Sequence, residues 1–194
     1  MLGARHQDYV TRGDFDGLIT PVPGFDVTRA FNGHSKSAEL RYVSNTGGLV
    51  DYVIGGYAHG DKWHQTNTVL STPTASTLSN LDQKTSSYAL FALANVHPTE
   101  QLTLSLGGRY SWDNKDYSID TKVFANSVFN AASSFAGSLK GSWHKFTPRV
   151  TLQYKASDNA MLFANWSKGY KAGGFNSRGT RPGNVGPYNP ENVT

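Results

Sequence analysis

Four side chains in two long polar segments have the chemistry needed to hold a planar organic ligand. Trp63 and His64 lie in the first segment. Tyr117 and Phe124 lie in the second. Aromatic rings bind a flat molecule by stacking, and indole, imidazole and phenol groups add hydrogen bonds. Ligand pockets combine an apolar lining with a few polar groups in the same way, so we predict that these four residues take part in binding.

A second group of side chains, mostly cationic, forms a polar row on the predicted lumen-facing side of the strands. Its members are Arg41, Arg109, Arg149, Gln153 and Lys171. Cations that line a cavity attract an anionic ligand, because their electric fields add up inside the cavity. The simpler interpretation, which the sequence favours, is that any water-filled interior has a polar lining. In that case the arginines pair with carboxylates of a neighbouring domain.

Covalent catalysis and metal chemistry have little support in the sequence. The chain contains no cysteine, which excludes disulfides, thiolate nucleophiles and thiolate metal sites. His59 and His64 are close in sequence, but their spacing fits no common pattern of metal ligands. The glycine pairs at 55–56 and 107–108 lack the Lys-Ser/Thr that follows in a phosphate-binding loop. We therefore predict no enzymatic activity, no metal site and no cofactor.

The composition indicates a protein rich in β-structure. The 194 residues include 10 Tyr, 10 Phe, 4 Trp, 20 Gly and 8 Pro, whereas only 16% are charged. So many aromatic residues argue against disorder, and no apolar run approaches the ~18 residues of a transmembrane helix. The net charge of +4 is scattered along the chain, so nucleic acid is not predicted as a partner. Residues 1–14 also lack the apolar core of a signal peptide.

Strict alternation of apolar and polar residues is the strongest pattern in the chain. Over 102–113, Leu, Gly and aromatic residues occupy every second position, and polar or small residues occupy the others. A tilted strand needs about 9–11 residues to cross a bilayer, with one face toward lipid and the other toward a polar lumen. Weaker versions of the pattern recur elsewhere. The six predicted strands are about 35–44, 50–61, 84–97, 102–113, 144–155 and 161–172.

The connections between these strands alternate between short and long. The short ones lie at 45–49, 98–101 and 156–160, and the long ones at roughly 62–83, 114–143 and 173–194. Outer-membrane barrels have short turns on the periplasmic side and long loops outside the cell. Aromatic residues near both strand ends suit the two interfaces of a membrane. The predicted fold class is therefore an all-β, antiparallel, up-and-down wall segment of a transmembrane β-barrel.

Two other kinds of protein remain as alternatives. A soluble β-sandwich that binds a carbohydrate or another ligand would share the β-rich composition. Long connections on one side only are unusual in such a domain, and the twelve-residue alternation at 102–113 is too long for its strands. A passive porin-type barrel would share the strand pattern. The order of several sequence motifs argues against a porin.

Four motifs, in one order, resemble the barrel of TonB-dependent outer-membrane receptors. The clearest is the pair of strands at 146–179, which contains FTPR and, after a polar turn, NWSKGYKAGGFN. Upstream, 37–57 begins with SAELR, and 87–117 contains HPTEQLTLSLGGRYSWD. The fourth motif, YNPENVT at 188–194, resembles the segment that enters the next strand. Together the motifs cover most of residues 33–194.

The resemblance implies a function as well as a fold. Members of the family are barrels of about 22 strands with an N-terminal plug, and they use TonB to drive the uptake of a scarce substrate, most often a ferric siderophore. The implied location is the bacterial outer membrane. The implied partners are membrane lipid, a ferric chelate or other small substrate, and TonB acting through a plug domain that this chain is expected to lack.

The resemblance also predicts how much of a receptor the chain represents. Six strands cannot close a barrel, because the smallest bacterial form has about eight. Residues 1–33 are predicted to be an external loop segment, and residues 34–194 are predicted to be part of the barrel. The chain is therefore expected to be an internal fragment of the barrel wall, which does not close by itself.

Overall fold

Antiparallel strands make up most of the chain. A computed structural model gives the fold and describes residues 1–14, 25–44, 47–72, 74–179 and 181–194. The strands in these ranges are β1 (Leu2–Asp14), β2 (Asp26–Ser44), β3 (Val50–Thr72), β4 (Ala75–Thr99), β5 (Leu102–Ala125), β6 (Val128–Phe129), β7 (Phe135–Ser157), β8 (Ala160–Ser167), β9 (Gly169–Lys171) and β10 (Glu191–Val193). Ala131–Ser133 and Pro182–Asn184 form single turns of 3-10 helix. In the described ranges, no helix is both long and apolar enough to cross a membrane.

One open antiparallel sheet contains all of the long strands. Its order is β1-β2-β3-β4-β5-β7-β8, so each strand pairs with its neighbours in sequence, and the short β6 pairs with β5. β9 and β10 form a separate two-stranded sheet. Because β1 and β8 are the two edges, the large sheet does not close on itself. The prediction of an all-β, antiparallel, up-and-down wall segment is confirmed.

The central strands are longer than the sequence pattern predicts. β3, β4, β5 and β7 contain 23 to 25 residues each. The predicted connection at 62–83 is mostly strand, because β3 and β4 extend through it. The one at 114–143 is also mostly strand, since β5 and β7 extend into it. Both predictions were wrong because polar residues occupy both faces there, so no apolar alternation marks the strands although backbone pairing continues.

Residues 1–33 were predicted as an external loop segment, and where they are described they are mostly strand. β1 pairs with the first part of β2 in continuous register over residues 2–14. An ion pair of 2.8 Å between Arg12 and Asp26 lies at the end of this hairpin. Polar residues on both faces again conceal the strands in the sequence. The described residues therefore form eight strands in the large sheet rather than six, and residues 15–24 lie outside them.

The predicted strand at 161–172 is interrupted near its end. After β8, the N–H of Lys168 donates to the carbonyl oxygen of Pro148 at 3.0 Å. The chain then leaves the large sheet, and β9 pairs with β10 instead. This change of partner begins a loop, described at residues 172–179 and 181–190, which we call the return segment because it folds back over the sheet.

The short connections lie together at one end of the sheet. β4 and β5 are joined at residues 100–101, and β7 and β8 are joined at residues 158–159. In the second turn, the Lys155 ammonium lies 2.8 Å from the Asp158 carboxylate. The predicted turn at 45–49 lies partly outside the described residues, since 45 and 46 are not among them. The long, mostly polar strand extensions lie at the opposite end.

The two faces of the large sheet carry different side chains. The face that we call the apolar face carries Leu40, Tyr42, Ile54, Leu90, Leu106, Trp112, Phe146 and Leu152. The face that we call the polar face carries Arg41, Glu39, Asp51, Ser105, Arg109 and Thr151. Large residues of the apolar face are exposed, with Leu40 at 83% and Leu106 at 45% of full accessibility.

The largest buried cluster lies on the polar face, in the strand extensions. It consists of Leu81, Tyr117, Ile119, Phe175 and Val185. Leu81 of β4 lies directly opposite Ile119 of β5, so both belong to the sheet. Phe175 and Val185 belong to the return segment. Burial of these apolar side chains fixes the return segment against the polar face.

Candidate functional site

Hydrogen bonds attach the return segment to two strands of the large sheet. The Lys115 ammonium of β5 donates to the carbonyl oxygen of Gly173 at 2.8 Å. The Asn67 amide of β3 donates to the carbonyl oxygen of Ser177 at 3.5 Å. These bonds satisfy backbone carbonyl groups that would otherwise be unpaired in a loop. The return segment is therefore held across β3 to β5.

Four aromatic rings pack where the return segment meets the sheet. The ring centroid of Phe175 lies 5.3 Å from that of Tyr117 and 6.1 Å from that of Trp143. Tyr117 also meets Trp63 edge to face at 6.4 Å. The Lys115 ammonium lies 5.7 Å from the ring centre of Trp143. Because only Phe175 comes from the return segment, this aromatic cluster joins the segment to three strands.

Two glycines allow this close approach. A Cβ atom on Gly173 would lie 2.5 Å from both the Trp143 ring and the carbonyl oxygen of Tyr188. A Cβ atom on Gly174 would lie 2.6 Å from the Tyr188 hydroxyl. Glycine is required wherever two parts of a chain come so close together. The Gly-Gly pair before Phe175 is therefore what lets the ring reach the cluster.

Burial in the aromatic cluster changes the acidity of two groups. Tyr117 is 3% exposed, and its hydroxyl has no hydrogen-bond partner among the described residues. Burial disfavours the phenolate and raises the pKa of Tyr117 to about 12. Burial also lowers the pKa of the Lys115 ammonium, which the negative charge of Asp113 partly opposes. Both groups lie in the polar strand extensions, outside the apolar part of the sheet.

A cavity lies beside the cluster, between the return segment and strands β2 to β5. Its volume is about 350 Å³, and its wall includes Val27, Arg29, Asn67, Thr121 and Arg178. In the part of the chain that the structure describes, neither Arg29 nor Arg178 forms an ion pair. The volume is at the lower end of the ~300–1,000 Å³ typical of ligand pockets. Two free guanidinium groups suit an anionic ligand.

The four residues predicted to bind ligand lie in strands and on both faces. Trp63 and Tyr117 lie on the polar face, in the aromatic cluster. His64 lies on the other face, where Nδ1 is 2.9 Å from a carboxylate oxygen of Asp82. Phe124 also lies on that face, by the register of β4 and β5. Successive side chains of a strand point to opposite faces, so the four side chains do not share one face, although Trp63, His64 and Tyr117 all line one groove of about 440 Å³. Ligand binding by each of them stays a prediction.

Four members of the predicted polar row share the polar face. They are Arg41, Arg109, Arg149 and Gln153. The Arg109 guanidinium lies over the ring of Tyr57, 5.2 Å from its centre. Lys171 lies instead in β9, where its ammonium is 3.3 Å from the Glu191 carboxylate. A role of this row in guiding a ligand stays a prediction.

Three histidines lie beside one carboxylate each. The pairs are His59 with Asp61 at 3.4 Å, His64 with Asp82 at 2.9 Å and His97 with Asp51 at 3.3 Å. Across the described ranges, no three side chains of His, Asp or Glu gather where they could hold a metal ion. The absence of a metal site stays a prediction.

The sequence pattern does not predict the residues with which the return segment completes the site. Phe175 could have been recognised from the sequence, because a Gly-Gly pair before an aromatic residue indicates close approach of the backbone. No sequence pattern identifies Arg29 and Arg178. They reach one cavity from distant parts of the chain, and such contacts leave no periodic pattern in the sequence.

Comparison with known proteins relates this architecture to one family of barrels. Residues 2–194 match the family described as "TonB dependent receptor-like, beta-barrel". Among solved structures, the chain is similar to the ferric yersiniabactin uptake receptor FyuA from Yersinia pestis, with a TM-score of 0.73 and 18% sequence identity. The similarity covers 98% of this chain and 27% of that one, so the chain spans about a quarter of its length. No curated protein sequence matches the chain.

Proposed function

Because the chain belongs to the family of TonB-dependent receptor β-barrels, we propose that it forms part of the wall of a receptor for ferric siderophores or similar scarce chelates. Barrels of this family are outer-membrane proteins, and we assign the chain to the same membrane. In this role it binds and passes a ligand without covalent chemistry. Uptake is energised by TonB acting through a plug domain of the complete receptor.

The exposed apolar face supports the membrane location. A soluble protein rarely leaves a continuous apolar patch exposed across several strands. A membrane barrel turns such a face to lipid. Tyr88 and Trp112 lie opposite each other at the end of the patch nearer the return segment. Tyr42 and Tyr52, with ring centroids 6.0 Å apart, lie at the end nearer the short turns. Aromatic residues at both ends match the two interfaces of a bilayer.

The proposed orientation puts the return segment outside the cell. Short turns of outer-membrane barrels face the periplasm, and long extensions face outward. In this orientation the turns at 100–101 and 158–159 face the periplasm. The cavity beside the aromatic cluster opens on the lumen side near the outer mouth, where a ligand from the medium arrives first.

The proposed substrate class rests on the residues that line the cavity. Arg29 and Arg178 supply two positive charges, and Asn67 and Thr121 supply hydrogen bonds. Ferric chelates with carboxylate, phenolate or catecholate donors commonly carry negative charge, which these groups would attract. FyuA, a solved structure to which the chain is similar, is a ferric yersiniabactin uptake receptor.

The test is ligand binding by the complete receptor that contains this segment. Cells producing it are incubated with iron-55 complexes of phenolate, catecholate and hydroxamate siderophores. We expect Arg29→Gln and Arg178→Gln each to weaken binding of the preferred chelate about tenfold. The control Lys122→Gln removes one charge from the opposite face of β5 and is expected to have no effect. Equal binding by all variants would contradict the role of the cavity.

A second experiment separates a receptor from a passive porin-type barrel. Uptake of the bound chelate is measured in cells with and without TonB. We expect binding to persist and uptake to stop when TonB is absent. Uptake that continues at the same rate without TonB would favour the porin-type alternative.

A further inference from the structure

Four polar side chains form a cluster in the strand extensions, on the side of the sheet that continues the apolar face. His64 and Thr66 are alternate residues of β3, so their side chains point to the same side. The register of β3 and β4 puts Asp82 directly opposite His64 and Asn80 directly opposite Thr66. We call these four residues the His64 cluster.

Hydrogen bonds connect three members of the His64 cluster in the order carboxylate, imidazole, hydroxyl. Nδ1 of His64 lies 2.9 Å from a carboxylate oxygen of Asp82, and Nε2 lies 3.3 Å from the hydroxyl oxygen of Thr66. An ionised carboxylate only accepts hydrogen bonds, so Asp82 holds the proton of a neutral His64 on Nδ1. The lone pair of Nε2 then faces the hydroxyl. Nucleophile, general base and orienting carboxylate have this arrangement in acyl-transfer sites.

Asn80 completes the surroundings of the Thr66 hydroxyl. The hydroxyl donates to Oδ1 of Asn80 at 3.1 Å. Rotation about the Cβ–Oγ1 bond turns the same proton toward His64, because a hydroxyl hydrogen takes whichever acceptor is in reach. The Asn80 amide also carries two N–H donors next to Thr66. Side-chain amides in such a position stabilise the negative oxygen that forms when a hydroxyl attacks an ester.

A groove gives small molecules access to the His64 cluster. His64 and Asp82 both line the groove of about 440 Å³, together with Lys62 and Lys84. The two lysines lie directly opposite each other, so they bring two positive charges to one end of the groove. Their electric field attracts a substrate that carries negative charge.

The position of the His64 cluster along the strands puts it in water. Asp82 lies six residues beyond Tyr88 on the same side of β4, or about 20 Å along the strand. With a strand tilt of about 40°, its height above Tyr88 is about 15 Å. The headgroup layer adds only about 5–8 Å to each side of the hydrocarbon core. In the proposed orientation the cluster therefore meets the external medium, although its own geometry does not depend on that orientation.

We propose that Thr66, His64 and Asp82 form a hydrolytic site for carboxylic esters that carry a negative charge. Thr66 Oγ1 attacks the ester carbonyl carbon, and its proton passes to Nε2 of His64. The bond to the alcohol oxygen breaks, and His64 returns the proton to that oxygen. Water then hydrolyses the acyl-threonine by the same steps, which releases the carboxylic acid and restores Thr66. The sequence predicts no enzymatic activity because it does not show which side chains meet across strands.

Hydrolysis of 4-acetoxybenzoate by the complete receptor in nonionic detergent tests the proposal. We expect Thr66→Val and His64→Gln each to lower kcat/KM about 100-fold. Thr66→Ser is expected to keep most of the activity, because it retains a hydroxyl. Asp82→Asn is expected to lower kcat about tenfold without changing KM, since Asp82 orients His64 and does not contact the ester. The control Thr68→Val removes a hydroxyl two residues further along the same side of β3 and is expected to have no effect.

Two outcomes would overturn the catalytic role of Thr66. One is an equal rate for the wild type and Thr66→Val, because a surface imidazole alone would then account for the hydrolysis. The other is the absence of an acetylated Thr66 peptide when the wild type is quenched in acid during turnover and analysed by mass spectrometry. Binding of the ferric chelate is expected to be unchanged in Thr66→Val, which separates this proposal from the proposed function.

A neutral ester tests the substrate class. After correction for the uncatalysed rates, methyl 4-acetoxybenzoate is expected to react about tenfold more slowly than 4-acetoxybenzoate with the wild type. In Lys62→Gln/Lys84→Gln the two esters are expected to react equally. No preference for the anionic ester in the wild type would overturn the assignment to negatively charged substrates.

Discussion

The two halves of the large sheet use apolar residues in opposite ways. In the half near the short turns, Leu40 and Leu106 lie on the outside and are exposed. In the half with the strand extensions, Leu81 and Ile119 lie on the polar face and are buried beneath the return segment. In the proposed orientation, one continuous set of strands thus meets two surroundings, lipid in the first half and water in the second. The second half must supply its own cover, and the return segment provides it.

The largest effect is expected from removing the ring that anchors this cover. Phe175 is 7% exposed and contacts Tyr117 and Trp143. We expect Phe175→Ala to lower the free energy that holds the return segment to the sheet by ~3–5 kcal/mol, since Phe→Ala in a core leaves a cavity. Trp143 fluorescence and hydrogen exchange of the return segment report the loss. The exposed Phe163 serves as the control, and equal effects of Phe163→Ala and Phe175→Ala would contradict the account.

The next effect tests the lipid-facing half. We expect Leu106→Arg to destabilise the complete barrel by ~2–4 kcal/mol in lipid vesicles, because it puts a charge against the bilayer core. Ser105→Arg, one residue away on the polar face, is expected to cost about 1 kcal/mol for the lost hydrogen bond to Asn95. Urea unfolding in vesicles measures both. Equal costs would mean that the faces are assigned wrongly.

A somewhat smaller effect is expected at the glycine that permits close packing. Gly173→Ala puts a Cβ atom where the Trp143 ring and the Tyr188 carbonyl now lie. We expect a loss of ~1–3 kcal/mol in attachment of the return segment, as for other overpacked sites. Gly137→Ala is the matched control in β7, since no atom lies within 4 Å of its Cβ position. Protease sensitivity of the return segment distinguishes the two variants.

The smallest effect concerns the Tyr117 hydroxyl, which has no hydrogen-bond partner among the described residues. Its removal is expected to stabilise the attachment of the return segment, whereas the changes above weaken the fold. We expect Tyr117→Phe to stabilise attachment of the return segment by about 1 kcal/mol, because a buried hydroxyl without a partner is costly. The folded pKa is raised to about 12 from 10.0. The contribution of the neutral phenol to attachment of the return segment is therefore fully present below pH 10. It is lost as the pH rises toward 12, because the buried hydroxyl resists ionisation. The variant is expected to lose less attachment over that range, and parallel pH profiles would contradict this assignment.

The sequence predicted the half near the short turns well and the half with the strand extensions poorly. Alternation at 102–113 reflects one apolar and one polar environment, so the pattern is visible in the residues themselves. The strand extensions at 62–83 and 114–143 have mostly polar side chains on both faces, and a buried apolar cluster lies only where the return segment covers them. Only backbone pairing marks them as strands, and that pairing leaves no trace in a hydropathy pattern. The same explanation applies to β1.

Two of the four residues predicted to bind ligand lie at the candidate site, and their role in binding stays a prediction. Trp63 and Tyr117 lie in the aromatic cluster, whereas His64 lies beside Asp82 on the other face. The error came from treating the segments as loops, in which neighbouring side chains can point the same way. In a strand they cannot. The return segment was beyond prediction because its contacts join residues that are far apart in sequence, as with the hydrogen bond from Asn67 to Ser177.

Cysteine labelling in living cells tests the central claim most directly, namely that the polar face lines an aqueous lumen while the apolar face meets lipid. The chain has no cysteine, so each introduced thiol is unique within this segment of the receptor. We predict that Ser105→Cys in the complete receptor reacts with a small water-soluble thiol reagent, that Leu106→Cys does not, and that Thr74→Cys is labelled by a membrane-impermeant maleimide on intact cells. Reaction of Leu106→Cys at the rate of Ser105→Cys, or labelling of Thr74→Cys only after the outer membrane is broken, would contradict the account.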